Sequence, residues 1–189
     1  MPRTAGHIVS PAQRLNVAVG LFDQVGPLGI ALHELGQRNL DLTRCRFVVA
    51  RESGVFSDTA LAQLANKVPI ERITLGGLSI ERAWSEVVVA RALEAGAMGA
   101  RREERACDTT SSILARRNQR LMQHLESGGG VLVVGLCDQA QQHAVAGLLL
   151  RVASGVFTHQ LRAPDTTGSG NRAHLPKSTE QGSNAIRIA

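Results

Sequence analysis

The sequence predicts an α+β fold in which two strand–helix–strand units follow one another along the chain. Nearly the same five residues occur twice, as GLFDQ at 20–24 and GLCDQ at 135–139. Each copy ends an apolar run that is typical of a buried strand, RLNVAVGLF at 14–22 and GGGVLVVGLC at 128–137. Apolar residues at helical spacing follow both copies. The pattern therefore indicates an internal duplication.

The first unit covers 14–52 and begins with the strand at 14–22. The helix that follows is predicted from apolar residues that recur every three or four positions: Val25, Leu28, Leu32 and Leu35. A second strand, RCRFVVAR, is expected at 44–51. Asp23 directly precedes the helical stripe, and we expect its side chain to cap the helix.

The second unit covers 128–163, with strands at 128–137 and 156–163 around a helix at 138–153 that Asp138 is expected to cap. Two such units in tandem predict the ferredoxin-like βαββαβ plan. Its four-stranded antiparallel sheet has the order 4-1-3-2, and right-handed crossovers place both helices on one face. The two repeated strands then lie side by side at the centre.

We expect a single domain at 14–163, with a helical insertion at 53–127 between the two units. Within the insertion, capping residues and apolar stripes predict three helices, at 57–69, 79–96 and 111–128. Residues 1–13 form an N-terminal tail. Residues 164–189 are rich in Gly, Ser, Thr and Asn, which predicts a disordered C-terminal tail.

Strand alternation divides the predicted sheet into two apolar faces. With the repeat offset applied, the face assigned to the crossover helices holds Leu15, Val17, Val19, Leu21, Leu132, Val134 and Leu136. The opposite face is too apolar to remain exposed. Either the inserted helices or a second copy of the chain must cover it, and we expect a homodimer. The interface candidates are Gly20, Phe22, Val131, Val133, Gly135 and Cys137, together with Trp84 and His159.

Composition excludes several classes of protein. The three cysteines are far apart and form no CxxC pair, so no disulfide framework or zinc site is indicated and a reducing cytoplasm is expected. The N-terminus has no apolar signal segment. The most apolar helical stretch, at 83–100, contains Glu86, Arg91 and Glu94, which argues against a membrane span.

The sequence contains no convergent catalytic, cofactor-binding or metal-binding set, and no enzyme is predicted. Asp23 and Asp138 would lie at opposite edges of the sheet, so helix capping explains them better than acid–base chemistry. The glycines at 127–130 precede a strand and lack the lysine of a phosphate-binding loop. Cys137 and the histidines have no partner at catalytic spacing.

The net charge of +5 includes one local basic cluster, at 100–105 and at Arg116, Arg117 and Arg120. Ferredoxin-like sheets that read RNA stack bases on aromatic side chains of the central strands. Here the central strands offer only Phe22, which argues against a nucleic-acid partner.

Four segments in their order resemble the small bacterial general stress protein family, of the heat-induced stress protein type: VAVGLFDQ (17–24), FVVARES (47–53), QHLESGGGVLVVGLCDQ (123–139) and VFTHQ (156–160). The resemblance covers about half of the chain. It implies the same duplicated fold and an association with the stress response, without a reaction. Members often carry a glycine-rich, membrane-like segment between the halves, where this sequence has a charged helical insertion.

Three functions are open at this point. The first is a non-enzymatic, stress-associated or regulatory protein that acts by self-association or by docking a protein partner. The alternative is a sensor of the ACT type that binds a small ligand at a dimer interface. An enzyme that uses His159 or Cys137 is the third. No cofactor is expected in the preferred case.

Overall fold

The computed structural model describes residues 14–96 and 112–162. Along the chain the elements are β1 (Arg14–Phe22), α1 (Val25–Gln37), β2 (Cys45–Ala50), α2 (Asp58–Leu61), β3 (Ile70–Ile73), a π-helical segment (Trp84–Val89), α3 (Ala90–Gly96), α4 (Ser112–Glu126), β4 (Gly130–Leu136), α5 (Gln139–Leu149) and β5 (Gly155–Arg162). The expected tails at 1–13 and 164–189, and the basic run at 100–105, lie outside the described residues. In the described ranges, no helix is both long and apolar enough to cross a bilayer.

The fold is α+β, with a five-stranded mixed sheet in the order β3-β2-β4-β1-β5. The sheet is not the four-stranded antiparallel one predicted, because it has a fifth strand and that strand is parallel to its neighbour. The insertion supplies the fifth strand, because β3 pairs in parallel with β2, Ile70 lying beside Phe47. β1 and β4 are antiparallel neighbours at the centre, with Val19 opposite Val133.

Each face of the sheet is covered by a separate helical layer. The crossover helices α1 and α5 pack on Ala18, Phe22, Leu132, Val134 and Leu136. The π-helical segment, α3 and α4 cover the other face, which carries Val17, Val19, Leu21, Val131 and Val133. The inserted helices thus cover the second face, which is the alternative to the expected second copy.

The face predicted for Val17, Val19 and Leu21 is therefore wrong. Antiparallel pairing sets Ala18 opposite Val134, and residues that face each other across neighbouring strands share a face of the sheet. Residue numbers of the same parity consequently lie on one face in both strands. The repeated phrases are an odd number of residues apart, so their matching letters fall on opposite faces.

Relative to the repeated phrase, α1 also begins one residue later than α5. Asp138 is the N-cap of α5, and its Oδ1 accepts a hydrogen bond of 2.7 Å from Gln141 N, which confirms the predicted cap. The N-cap of α1 is Gln24, whose side chain makes no capping bond. The cap predicted at Asp23 is wrong, because Asp23 lies one residue before the position that can reach the helix.

The helices predicted for the insertion form only in part. The helix expected at 57–69 is limited to α2, whose first turn is capped by the Ser57 side chain. The helix expected at 79–96 is the π-helical segment followed by α3. Asn118 joins this segment to α4, since its Oδ1 accepts a 2.8 Å hydrogen bond from Trp84 N and its Nδ2 donates to Glu81 O at 3.1 Å.

Three consecutive glycines lead into β4, and each meets a conformational or steric requirement. Gly128 has φ +86°, a conformation that L-residues rarely adopt. A methyl group on Gly129 would overlap the ring of His124, and one on Gly130 would overlap the ring of Phe47. These glycines therefore let α4 and β2 approach the start of β4, and no phosphate loop is needed to explain them.

Candidate functional site

β5 forms one edge of the sheet. It pairs with β1 from Leu21–Gly155 to Arg14–Arg162, and no described strand pairs with its other side. Its sequence, GVFTHQLR, has no proline and no charged residue before Arg162. Natural edge strands are usually protected from pairing by proline, lysine, a bulge or a covering element. The outer edge of β5 is therefore a candidate surface for strand pairing.

The contacts of Gln142 show which backbone groups of β5 face outward. Its Nε2 donates at 2.8 Å to the carbonyl oxygens of both Val17 and His159, which are paired residues of β1 and β5. One nitrogen atom can reach both oxygens only if both point into the gap between β1 and β5. Because backbone groups alternate in direction along an antiparallel strand, the N–H and C=O groups of Thr158 and Gln160 point away from β1.

A group of side chains that we call the arginine–aromatic cluster lies on one face of β5. It consists of Phe157 and His159 of β5, Arg117 and Arg120 of α4, and Trp84 of the π-helical segment. The Trp84 ring meets the rings of Phe157 and His159 edge-on, with centroids 5.8 and 5.9 Å apart. Arg117 Cζ lies 5.5 Å from the Trp84 ring centroid, and Arg120 Cζ lies 5.5 Å from that of Phe157. Both guanidinium groups are thus held over aromatic faces.

The arginine–aromatic cluster has excess positive charge. Among the described residues no carboxylate lies within 4.0 Å of either guanidinium, and Arg120 Nη2 donates only to the backbone oxygen of Ser154, at 3.4 Å. Burial and the charge of Arg117 lower the pKa of His159 below its usual value. Trp84 Nε1 is buried without an acceptor in the described part of the chain. The cluster is therefore rich in donors, and no carboxylate of the described residues balances its charge.

A shallow cleft of about 310 Å³ lies beside this cluster and is lined by Leu21, Asp23, Arg120, Gln123, His124, Ser127 and Ser154. His124 Nδ1 is 3.5 Å from Asp23 Oδ1, and its Nε2 is 3.1 Å from the carbonyl oxygens of Phe22 and Gly130. Both ring nitrogens thus face groups of the chain itself. In this geometry His124 joins α4 to the central strands.

Most of the predicted interface residues are enclosed by the chain itself. Phe22, Val131, Val133 and Trp84 are at most 1% exposed. A methyl group on Gly20 would contact Leu149 of α5, and one on Gly135 would lie 3.8 Å from Ala92 O of α3. These six residues present no surface to a second copy. His159 is half-buried and Cys137 is exposed.

The two cysteines in the described ranges differ in their surroundings. Cys137 Sγ accepts a hydrogen bond from Arg44 Nη1 at 2.5 Å at the exposed end of β4. Cys45 is buried in β2, and this burial raises the pKa of its thiol to about 12. Cys107 lies outside the described residues. No group of three His, Cys, Asp or Glu side chains suited to a metal ion occurs in 14–96 or 112–162.

The sequence-based interpretation noted Arg117 and Arg120 as members of a basic cluster and missed what holds them. Their spacing on α4 places them on neighbouring turns. Nothing in that spacing indicates that Trp84 and Phe157 lie beneath them, because the two rings come from distant parts of the chain. The role of His124 was also missed. Gly129 was the available signal, because a residue without a Cβ atom leaves room for a neighbouring ring.

A scan against protein-family models found no match to this chain, and searches of curated proteins and of solved structures found none.

Proposed function

We propose that this protein is a non-enzymatic binding protein that self-associates by antiparallel pairing of β5 from two copies. The outer edge of β5, with which no described strand pairs, is the observation that carries the proposal. A stress-related role is part of the proposal and rests on the resemblance of the segments at 17–24, 47–53, 123–139 and 156–160. We also propose a ferredoxin-like core with β3 added, since the remaining strands follow the order β5-β1-β4-β2 with antiparallel neighbours.

A second copy is the occupant that suits this edge best. Identical strands are self-complementary when they pair antiparallel about a two-fold axis. Outward-facing residues must lie opposite outward-facing residues, so Thr158 pairs with Thr158 or with Gln160 of the other copy. Each register pairs seven of the eight residues of β5, and the second sets His159 opposite His159. The first register is preferred, because it sets Val156 opposite Gln160 and Phe157 opposite His159, with no two ionisable side chains opposed.

Proline at position 158 tests the proposal. The Thr158→Pro change removes an N–H group that points away from β1, and the ring blocks strand addition at the outer edge. We expect a dimeric wild-type protein and a monomeric variant by light scattering, with the far-UV circular dichroism spectrum kept. Thr158→Val retains the N–H group and is the matched control, which should remain dimeric.

Thr158→Lys tests the same surface without changing the backbone. In the preferred register it places two ammonium groups directly opposite each other, which should weaken the dimer. A Thr158→Pro protein that is folded and keeps the wild-type mass would overturn the proposal. A wild-type protein that is monomeric at every protein concentration and buffer composition would do the same.

A small-ligand sensor of the ACT type is the second candidate. The cleft beside β5 favours it, because Asp23 and Arg120 offer opposite charges in one depression of about 310 Å³. A ligand that binds only the native state raises the melting temperature by mass action. Thermal-shift screening with amino acids and nucleotides would support this candidate if a hit lost its effect in Arg120→Gln.

A further inference from the structure

Arg117 and Arg120 lie beside the edge at which we propose that a second copy pairs. Arg120 stacks on Phe157 of β5, and a methyl group on Gly155 would come within 2.9 Å of its Nη2. Arg117 stacks on Trp84, whose ring touches both Phe157 and His159. Both guanidinium groups therefore lie over the outermost strand.

Pairing would bring the arginine–aromatic clusters of the two copies together. Two antiparallel copies of one strand in a continuous sheet are related by a two-fold axis perpendicular to that sheet. The helix α4 of each copy then lies on the same side, and neighbouring strands are only about 4.8 Å apart. With Thr158 on the axis, Phe157 of one copy faces His159 of the other, and the Arg117 side chains flank the axis.

Repulsion between these guanidinium groups weakens pairing, and a bound anion would relieve it. No described carboxylate lies within 4.0 Å of Arg117 or Arg120, and Asp23 in the adjacent cleft is directed to His124. A second copy would also remove water from these groups, which strengthens repulsion between like charges. Stacking on the rings limits how far the guanidinium groups can move apart.

We propose that self-association through β5 is coupled to the binding of a multivalent phosphate anion by Arg117 and Arg120 of both copies. This inference rests on the proposed function and adds its ligand class. Guanidinium groups bind phosphate oxygens through paired, charge-assisted hydrogen bonds. An anion with two linked phosphate groups can contact both clusters, and a ligand bound only by the dimer stabilises it by mass action.

The test measures dimer dissociation by sedimentation at low salt, with inorganic pyrophosphate or with sodium chloride at the same ionic strength. We expect pyrophosphate to tighten the dimer by about tenfold or more relative to chloride. The single tryptophan, Trp84, lies beneath Arg117, so its fluorescence should change in the same titration.

Substitutions at the two arginines test both the repulsion between the copies and the response to pyrophosphate. Arg117→Gln combined with Arg120→Gln removes the repulsion, so the dimer should be tighter than wild type without pyrophosphate, and its response to pyrophosphate should be lost. Arg38→Gln removes one charge at the exposed end of α1, on the opposite helical layer, and should keep the wild-type response.

The outcomes separate this inference from the proposed function. Equal dimer affinity in chloride and in pyrophosphate overturns the inference and leaves self-association through β5 intact. Pyrophosphate binding of wild-type strength by monomeric Thr158→Pro overturns the coupling. Binding of a short single-stranded oligonucleotide to a protein that stays monomeric, with loss in Arg117→Gln, would assign the surface to nucleic acid and overturn the proposal.

Discussion

Gln24 and Asp138 occupy equivalent positions at the starts of α1 and α5, yet only Asp138 accepts a hydrogen bond from its helix. Both residues are extended, with φ −145° and ψ 155° at Gln24 and φ −141° and ψ 170° at Asp138. The backbone at Gln24 is therefore already suited to a capping side chain that the sequence does not supply.

Exchanging the capping residues should change stability in opposite directions. Asp138→Ala should lower the free energy of unfolding by about 0.5–2 kcal/mol, and Gln24→Asp should raise it by an amount in the same range. Urea denaturation measures both. A Gln24→Asp protein no more stable than wild type would contradict the assignment of Gln24 as the N-cap.

Alanine at Gly129 or Gly130 should destabilise the protein by about 1–3 kcal/mol, because the added methyl group overpacks against His124 or Phe47. Gly147 in α5 is the matched control, since a methyl group there meets no atom within 4 Å. Gly147→Ala should stabilise the helix by roughly 0.5–1 kcal/mol. Chemical denaturation distinguishes the signs, and a neutral Gly130→Ala would show that the Phe47 ring moves aside freely.

Val133→Asp should impair folding itself. Val133 is fully buried beneath the inserted helices, so the change places an unpaired carboxylate in the core. We expect a loss of about 3 kcal/mol or more in the free energy of unfolding. Ile113→Asp is the control, because Ile113 on α4 is 64% exposed and should tolerate the charge. A Val133→Asp protein with the wild-type melting curve would show that this face is open to water.

His159 should make the protein less stable as the pH falls below about 6.5, the ordinary pKa of histidine. Burial and Arg117 lower the pKa of His159 in the folded state. The unfolded chain therefore binds a proton first, and stability declines from about pH 6.5 down to the lower folded pKa. Stability measured between pH 7 and pH 5 should fall less in His159→Gln than in wild type. An equal or steeper fall in the variant would contradict this.

Local patterns were sufficient for several elements. The stripe Leu28, Leu32 and Leu35 of α1 is buried as its spacing predicts, and so are Val145, Leu148 and Leu149 of α5. The cap at Asp138 was likewise predictable. Each of these features depends on residues within one or two turns of each other, so helical periodicity and a short hydrogen bond determine them without reference to the rest of the chain.

The faces of the sheet required long-range information. Which side of β1 the crossover helices cover depends on the residue of β4 that lies opposite Ala18, and that register is set by packing across more than 100 residues of chain. A change of one residue in the inferred offset between β1 and β4 moves every residue of one strand to the other face of the sheet. The repeated phrase had the wrong offset, because sequence identity and structural equivalence differ by one position at Gln24 and Asp138.

The candidate site was decided almost entirely by tertiary structure. By itself, the sequence determined the apolar segments, their helix or strand character and the positive charge of Arg117 and Arg120. Only the fold placed Trp84 of the insertion and Phe157 of β5 beneath those two arginines, and left β5 at the edge. The reason is physical: stacking and strand pairing act between surfaces that meet only after the chain has folded, whereas periodicity and capping act within a few residues.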